Sequence, residues 1–82
     1  MFYTYILYSS QHDRYYIGQT DNIEIRLNQH NSGLVKSTKA YLPWKLKYFE
    51  KYEARTEAIR RERFLKQQRN REFYDRLINS MD

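Results

Sequence analysis

Tyr5, in the segment Tyr3-Thr4-Tyr5-Ile6-Leu7, and Tyr16, in Tyr15-Tyr16-Ile17-Gly18, are followed by Arg26 and His30, one helical turn apart. Phenols, a guanidinium and an imidazole gathered near one hairpin suggest phosphate chemistry. Counted at about 100° per residue from Ile23, Leu27 lies at roughly 40°, His30 at roughly −20° and Arg26 at roughly −60°. Arg26 and His30 therefore flank an apolar stripe. Two readings stay open for them: functional groups aimed beside the tyrosine-rich hairpin, or surface residues at the edge of a helix.

Glu62 raises a separate question. Counted from Ala58, Ile59 lies at roughly 100° and Leu65 at roughly −20°, with Glu62 between them at roughly 40°. An unpaired charge is costly to bury, so Glu62 either binds a cation or forms an ion pair. Lys66 follows at i+4, the favourable orientation for a pair on a helix. Other chemistries drop out quickly. The two glycines are far apart, so no glycine-rich phosphate loop exists. His12 and His30 are the only histidines, which argues against a multi-histidine metal site, and no hydrolase triad is visible.

The elements that must position these groups follow from local pattern. Residues 2 to 9 and 14 to 20 are rich in Tyr, Ile and Thr and are split by Ser10-Gln11-His12-Asp13, the signature of a β-hairpin. Gly18 marks either a bulge or a close approach by another backbone or a ligand. Asp21-Asn22-Ile23-Glu24 is a capping-box pattern with Asp21 as the cap, and a helix beginning there should end at Asn31-Ser32-Gly33. Residues 34 to 42 read as a loop leading to Pro43. Trp44, Leu46 and Tyr48 alternate with Lys45 and Lys47, and the pattern runs on to Tyr52, predicting a strand with one face on the core and one in water. Helices are expected from Ala54 to about Lys66 and from about Asn70 to Asn79, the latter with Phe73, Leu77 and Ile78 on one face.

Composition narrows the function classes. An 82-residue chain reads as one domain with a single modest core, drawn largely from fourteen aromatic residues, nine of them tyrosine. A net charge of +5 favours a polyanionic partner. From Arg55 to Arg76 eight Lys or Arg residues face four acidic ones, so most of the positive field comes from the C-terminal third. A solvated basic face is the alternative. The absence of cysteine excludes disulfides, zinc-thiolate sites and thiol catalysis, and the expected location is cytoplasmic. The apolar run from Phe2 to Tyr8 is too short for a signal peptide or a membrane span.

Taken in order, Tyr3-Thr4-Tyr5, Tyr16-Ile17-Gly18-Gln19-Thr20, Arg26 through Gly33, Thr38, Pro43-Trp44 and Glu57-Ala58 through Glu62 resemble the GIY-YIG nuclease superfamily. The resemblance covers nearly the whole chain and is greatest to small stand-alone members related to the N-terminal nuclease domain of the C component of excinuclease ABC. It implies an α/β fold, a three-stranded antiparallel sheet flanked by helices, and divalent-metal-dependent cleavage of a DNA phosphodiester bond, in a setting such as repair or recombination. Carried over by position, Tyr16 would activate the attacking water, Tyr5 would support it, Arg26 would hold the scissile phosphate and His30 would assist proton movement. Glu62 would be the sole protein ligand of Mg2+ or Mn2+. One carboxylate suffices for magnesium, which keeps most of its waters and takes further ligands from phosphate. A phenol of ordinary acidity is a poor base at neutral pH, so Tyr16 needs nearby positive charge.

The chain departs from the family pattern in three places. The first motif keeps only its tyrosine, Gln19 stands where the repair nuclease has a lysine, and Asn70 and Asn79 are both candidates for an asparagine expected in the last helix. The leading expectation is an endonuclease whose basic helices grip DNA backbone, with a protein partner supplying specificity and no membrane association. The alternatives are a nucleic-acid-binding module of the same fold with little or no activity, and a protein-interaction module.

Overall fold

The computed structural model describes residues 1–81. Strands β1 (Phe2–Ser9) and β2 (Arg14–Thr20) form a hairpin, followed by α1 (Ile23–Asn31), a 3-10 turn at Lys39–Tyr41 within the expected loop, β3 (Lys45–Tyr52), α2 (Arg55–Gln68) and α3 (Arg71–Asn79). The sheet is antiparallel in the order β2-β1-β3, which makes β1 the central strand. Its residues Thr4 to Leu7 are all buried, because elements cover both sheet faces. Thr4, the polar member of that run, donates to the Ala58 carbonyl of α2 at 2.7 Å. No helix among the described residues is long and apolar enough to cross a membrane.

Two apolar clusters lie on opposite faces of the sheet. One gathers Ile6, Ile17, Tyr48, Leu65 and Tyr74 beneath α2 and α3, with Phe73, Leu77 and Ile78 packed on it. The other gathers Tyr5, Leu7 and Trp44, with Tyr16, Leu27 and Leu46 against it. This corrects the expected one-sided β3. Ile6 pairs with Tyr48 while Leu7 pairs with Leu46, so Lys47 is an extra residue in the ladder. That bulge turns Leu46 and Tyr48 to opposite faces despite their even spacing.

The helix boundaries follow from local hydrogen bonding. Asn22, not Asp21, caps α1, its Oδ1 accepting from the Ile25 amide at 3.0 Å. Thr20 fixes the entry by accepting from the Asn22 amide at 3.1 Å, which shifts the cap one residue on. Gly33 closes the helix at φ 76°, a conformation that glycine adopts without cost. Glu57 reaches back to the Ala54 amide at 3.3 Å to begin α2, and Asn70 caps α3 by accepting from the Phe73 amide.

Candidate active site

The hairpin register sets Tyr5 opposite Gly18 and Leu7 opposite Tyr16. The register runs unbroken from Tyr3↔Thr20 to Ser9↔Arg14, so Gly18 is not a bulge. It is a place of close approach. A Cβ at Gly18 would lie 2.5 Å from the Tyr5 hydroxyl and 2.7 Å from Cζ, so glycine leaves the room through which the Tyr5 phenol reaches His30 of α1.

On α1 the phenol meets His30, which is completely buried rather than at the helix surface. The Tyr5 hydroxyl is 3.0 Å from His30 Nε2, and His30 Nδ1 is 2.8 Å from Thr38 Oγ1. Thr38 in turn donates to the Val35 carbonyl at 3.3 Å. With its one proton used there, Thr38 accepts from Nδ1–H, and Nε2 is left to accept from Tyr5. Burial holds His30 down at about 4, with the charge of Arg26 adding to the effect. The imidazole is therefore neutral at physiological pH. Burial likewise pushes the Tyr5 phenol up to about 12, partly offset by a hydrogen bond from Arg26. Tyr5 is thus protonated at neutral pH and donates to His30.

Tyr16 differs from its neighbour. Its ring centroid lies 5.0 Å from that of His30, 6.4 Å from Tyr5 and 6.3 Å from Trp44. The ring is wedged among these groups, yet its hydroxyl has no hydrogen-bond partner among the described residues. Arg26 is half-buried, anchored by donation to Gln29 at 2.9 Å and lying beside the Tyr5 phenol. The charge of Glu62 is also felt at Tyr5. The fold therefore brings Tyr5, Tyr16, Arg26 and His30 into one group, with Glu62 of α2 adjoining it.

Glu62 forms the ion pair that helical spacing predicts, Lys66 Nζ lying 2.9 Å from its Oε2. Among the described residues no three His, Asp or Glu side chains are grouped to hold an ion. Glu62 as a single carboxylate, with water and substrate oxygens, fits a small hard cation such as magnesium.

Contacts from residues outside the predicted catalytic and metal set complete the frame. Asn31 clamps Trp44, donating to its carbonyl at 3.0 Å and accepting from its amide at 2.7 Å. The Trp44 indole donates to the Thr38 carbonyl at 3.0 Å, tying the loop after α1 to the histidine. These contacts cross an irregular loop and leave no periodic trace. At Gln19, Arg55 of α2 donates to Oε1 at 3.0 Å and lies 3.7 Å from Asp21, so a cation reaches this position from another element. Asn70 is used as the α3 cap, and Asn79 lines a cleft with Tyr8, Tyr15, Arg71 and Asp75.

The sequence profile described as the GIY-YIG catalytic domain matches residues 1–75. This chain belongs to the GIY-YIG family. It is 41% identical over 75 residues to a UPF0213 protein of Bacillus licheniformis, covering 88% of this chain and 76% of the relative. A UPF0213 protein of Streptococcus agalactiae is 42% identical over 66 residues, covering 79% and 74% of the two chains. One from Clostridium perfringens is 42% identical over 67 residues, covering 80% and 71%. No solved structure matches the chain. Membership of the GIY-YIG family supports a nuclease-type function, and the packing above gives two residues of this chain a physical reason. Glycine follows Tyr16-Ile17 because the first-motif tyrosine lies against it. The helix-borne histidine is a buried partner of that tyrosine.

Proposed function

We propose that this chain is a divalent-metal-dependent endonuclease that hydrolyses DNA phosphodiester bonds, in the cytoplasm and in the service of repair or recombination. The observation that carries the reading is the division of labour between the two phenols. Tyr5 is committed to His30 and feels the charges of Arg26 and Glu62, whereas the hydroxyl of the neighbouring Tyr16 is unengaged among the described residues.

In this reading Tyr16 acts as the phenolate, favoured by the positive charge of Arg26 and of a bound divalent ion. It takes a proton from the attacking water as that water's oxygen bonds to phosphorus and the P–O bond to the leaving oxygen, which is protonated from solvent, breaks. Arg26 holds the scissile phosphate through a planar fork matched to its oxygens. Tyr5 fixes the site geometry by donating to His30 Nε2, and His30 Nδ1–H donates onward to Thr38. Glu62 would hold Mg2+ or Mn2+, which when bound supplies Lewis-acid polarisation of a phosphate oxygen and neutralises charge on the leaving oxygen.

DNA is held by backbone contacts from the basic helices. Of their eight cations, Arg55, Arg61, Lys66 and Arg71 have carboxylate partners, while Arg60, Arg63, Arg69 and Arg76 have none among the described residues. Arg60 and Arg63 line an open groove of about 590 Å³ with Thr56, Ile59, Phe64 and Gln67, which suits a phosphate backbone better than a base edge. Sequence preference then comes from a protein partner.

One observation favours the inactive binding module instead: Lys66 already neutralises Glu62. Plasmid nicking separates the two readings. The endonuclease nicks in Mg2+ or Mn2+ and a Glu62→Ala variant does not, while the binding module retains DNA and leaves it intact with either ion.

A further inference from the structure

Two half-buried carboxylates, Glu50 of β3 and Glu62 of α2, are held very differently. Glu50 receives Arg61 at 2.9 and 3.0 Å through a two-pronged contact and accepts from the Tyr48 and Tyr52 hydroxyls as well. Its oxygens are fully used. Glu62 has one partner among the described residues, the Lys66 ammonium at 2.9 Å. The Glu62 side chain is only 17% exposed, whereas that of Lys66 is 51% exposed. A largely buried carboxylate is thus covered by one cation on a flexible stem that reaches in from solvent. The same ammonium lies 6.0 Å from the centroid of the Tyr16 ring, which puts the pair beside the unengaged phenol.

We propose that Lys66 is a metal-competitive positioning residue. Its ammonium occupies Glu62 in the metal-free chain and is displaced when a divalent cation takes the carboxylate. The proposal rests on the reading of Glu62 as the metal ligand. An i, i+4 pair of this exposure changes an equilibrium by a factor of only about two. A cation of twice the charge overcomes such a pair, and the loss of a neighbouring positive charge adds to the factor. The two-pronged Arg61 contact on Glu50 would resist the same exchange. Once displaced, the ammonium remains tethered one turn from Glu62 and beside Tyr16, available to a substrate phosphate.

The test is direct Mn2+ binding to the full chain, read from the electron-paramagnetic-resonance signal of free Mn2+. Lys66→Met should bind Mn2+ about two- to fivefold tighter than wild type. Lys47→Met, on the opposite edge strand, should stay within about 1.5-fold, which removes net charge as the cause. Glu62→Gln should lose the site in either background. Equal Mn2+ binding by wild type and Glu62→Gln would refute Glu62 as the ligand, and the Lys66 proposal with it. Glu62-dependent binding that Lys66→Met leaves unchanged or weakens would overturn the Lys66 proposal alone. A second readout needs no variant at Lys66: its side-chain 15N resonance should move on saturation of the wild type with Mg2+ and stay put in Glu62→Gln. An unmoved resonance in metal-saturated wild type also overturns the proposal.

Discussion

The Tyr5 hydroxyl and His30 Nε2 are 3.0 Å apart in a pocket closed to solvent, and Gly18 is what lets them meet. The contact joins the central strand to the end of α1 and commits one phenol of the site to a structural bond. Tyr16 is thereby left as the phenol of the group whose hydroxyl has no hydrogen-bond partner among the described residues.

Gly18→Ala should destabilise the chain by about 1–3 kcal/mol, because the new methyl group overlaps the Tyr5 phenol. Tyr5→Leu removes the overlapping ring end, so the double variant should lose much less than the sum of the two single changes. Thermal melting of the four proteins checks this. Strict additivity would mean that the two residues do not touch.

His30 gives the fold a dependence on acid. Its folded value near 4 lies below the ordinary 6.5, so between these values the unfolded chain binds a proton that the folded chain refuses. Stability from this group is complete above about pH 6.5 and falls with pH through about 4, a loss of about 3 kcal/mol. Urea unfolding across that range should show the decline in wild type. His30→Asn should be less stable near neutrality but flatter in acid, and an unchanged slope would exclude His30 as its source.

Much of this frame is legible in residue type. The β-forming runs predict the bounds of β1 and β2, Asn31-Ser32-Gly33 predicts the end of α1, and the spacing of Glu62 and Lys66 predicts their pair. What escapes the sequence is set by tertiary contact. The Lys47 bulge breaks a period-2 pattern that looks unbroken along the chain, because the ladder partner that defines it lies on β1. His30 sits at the edge of an apolar stripe by helical count, yet its complete burial depends on the loop that Asn31 and Trp44 hold over it. Thr38, which orients the imidazole, lies in a stretch with no periodicity at all.

The basic helices should contact DNA through the arginines that lack carboxylate partners. Arg60→Gln and Arg63→Gln should each lower the salt dependence of binding, by about 0.9 in the log-log slope for each phosphate that duplex DNA no longer has neutralised. Arg61→Gln should instead lower the melting temperature, since it strips the cation from Glu50. Fluorescence anisotropy over a range of salt, with melting of each variant, separates these effects. Equal salt slopes for wild type and the Arg60 and Arg63 variants would place the DNA elsewhere.

Tyr16→Phe removes one hydroxyl from the site while retaining the ring that packs against His30 and Trp44. Single-turnover cleavage of a branched or flapped DNA in Mg2+, with binding measured on the same substrate, therefore probes the phenol oxygen alone. Wild type should cut, and the Phe variant should bind within about twofold of it but cut about 10²–10⁴-fold more slowly. Cleavage by the Phe variant at the wild-type rate would contradict the assignment of Tyr16 as the proton acceptor.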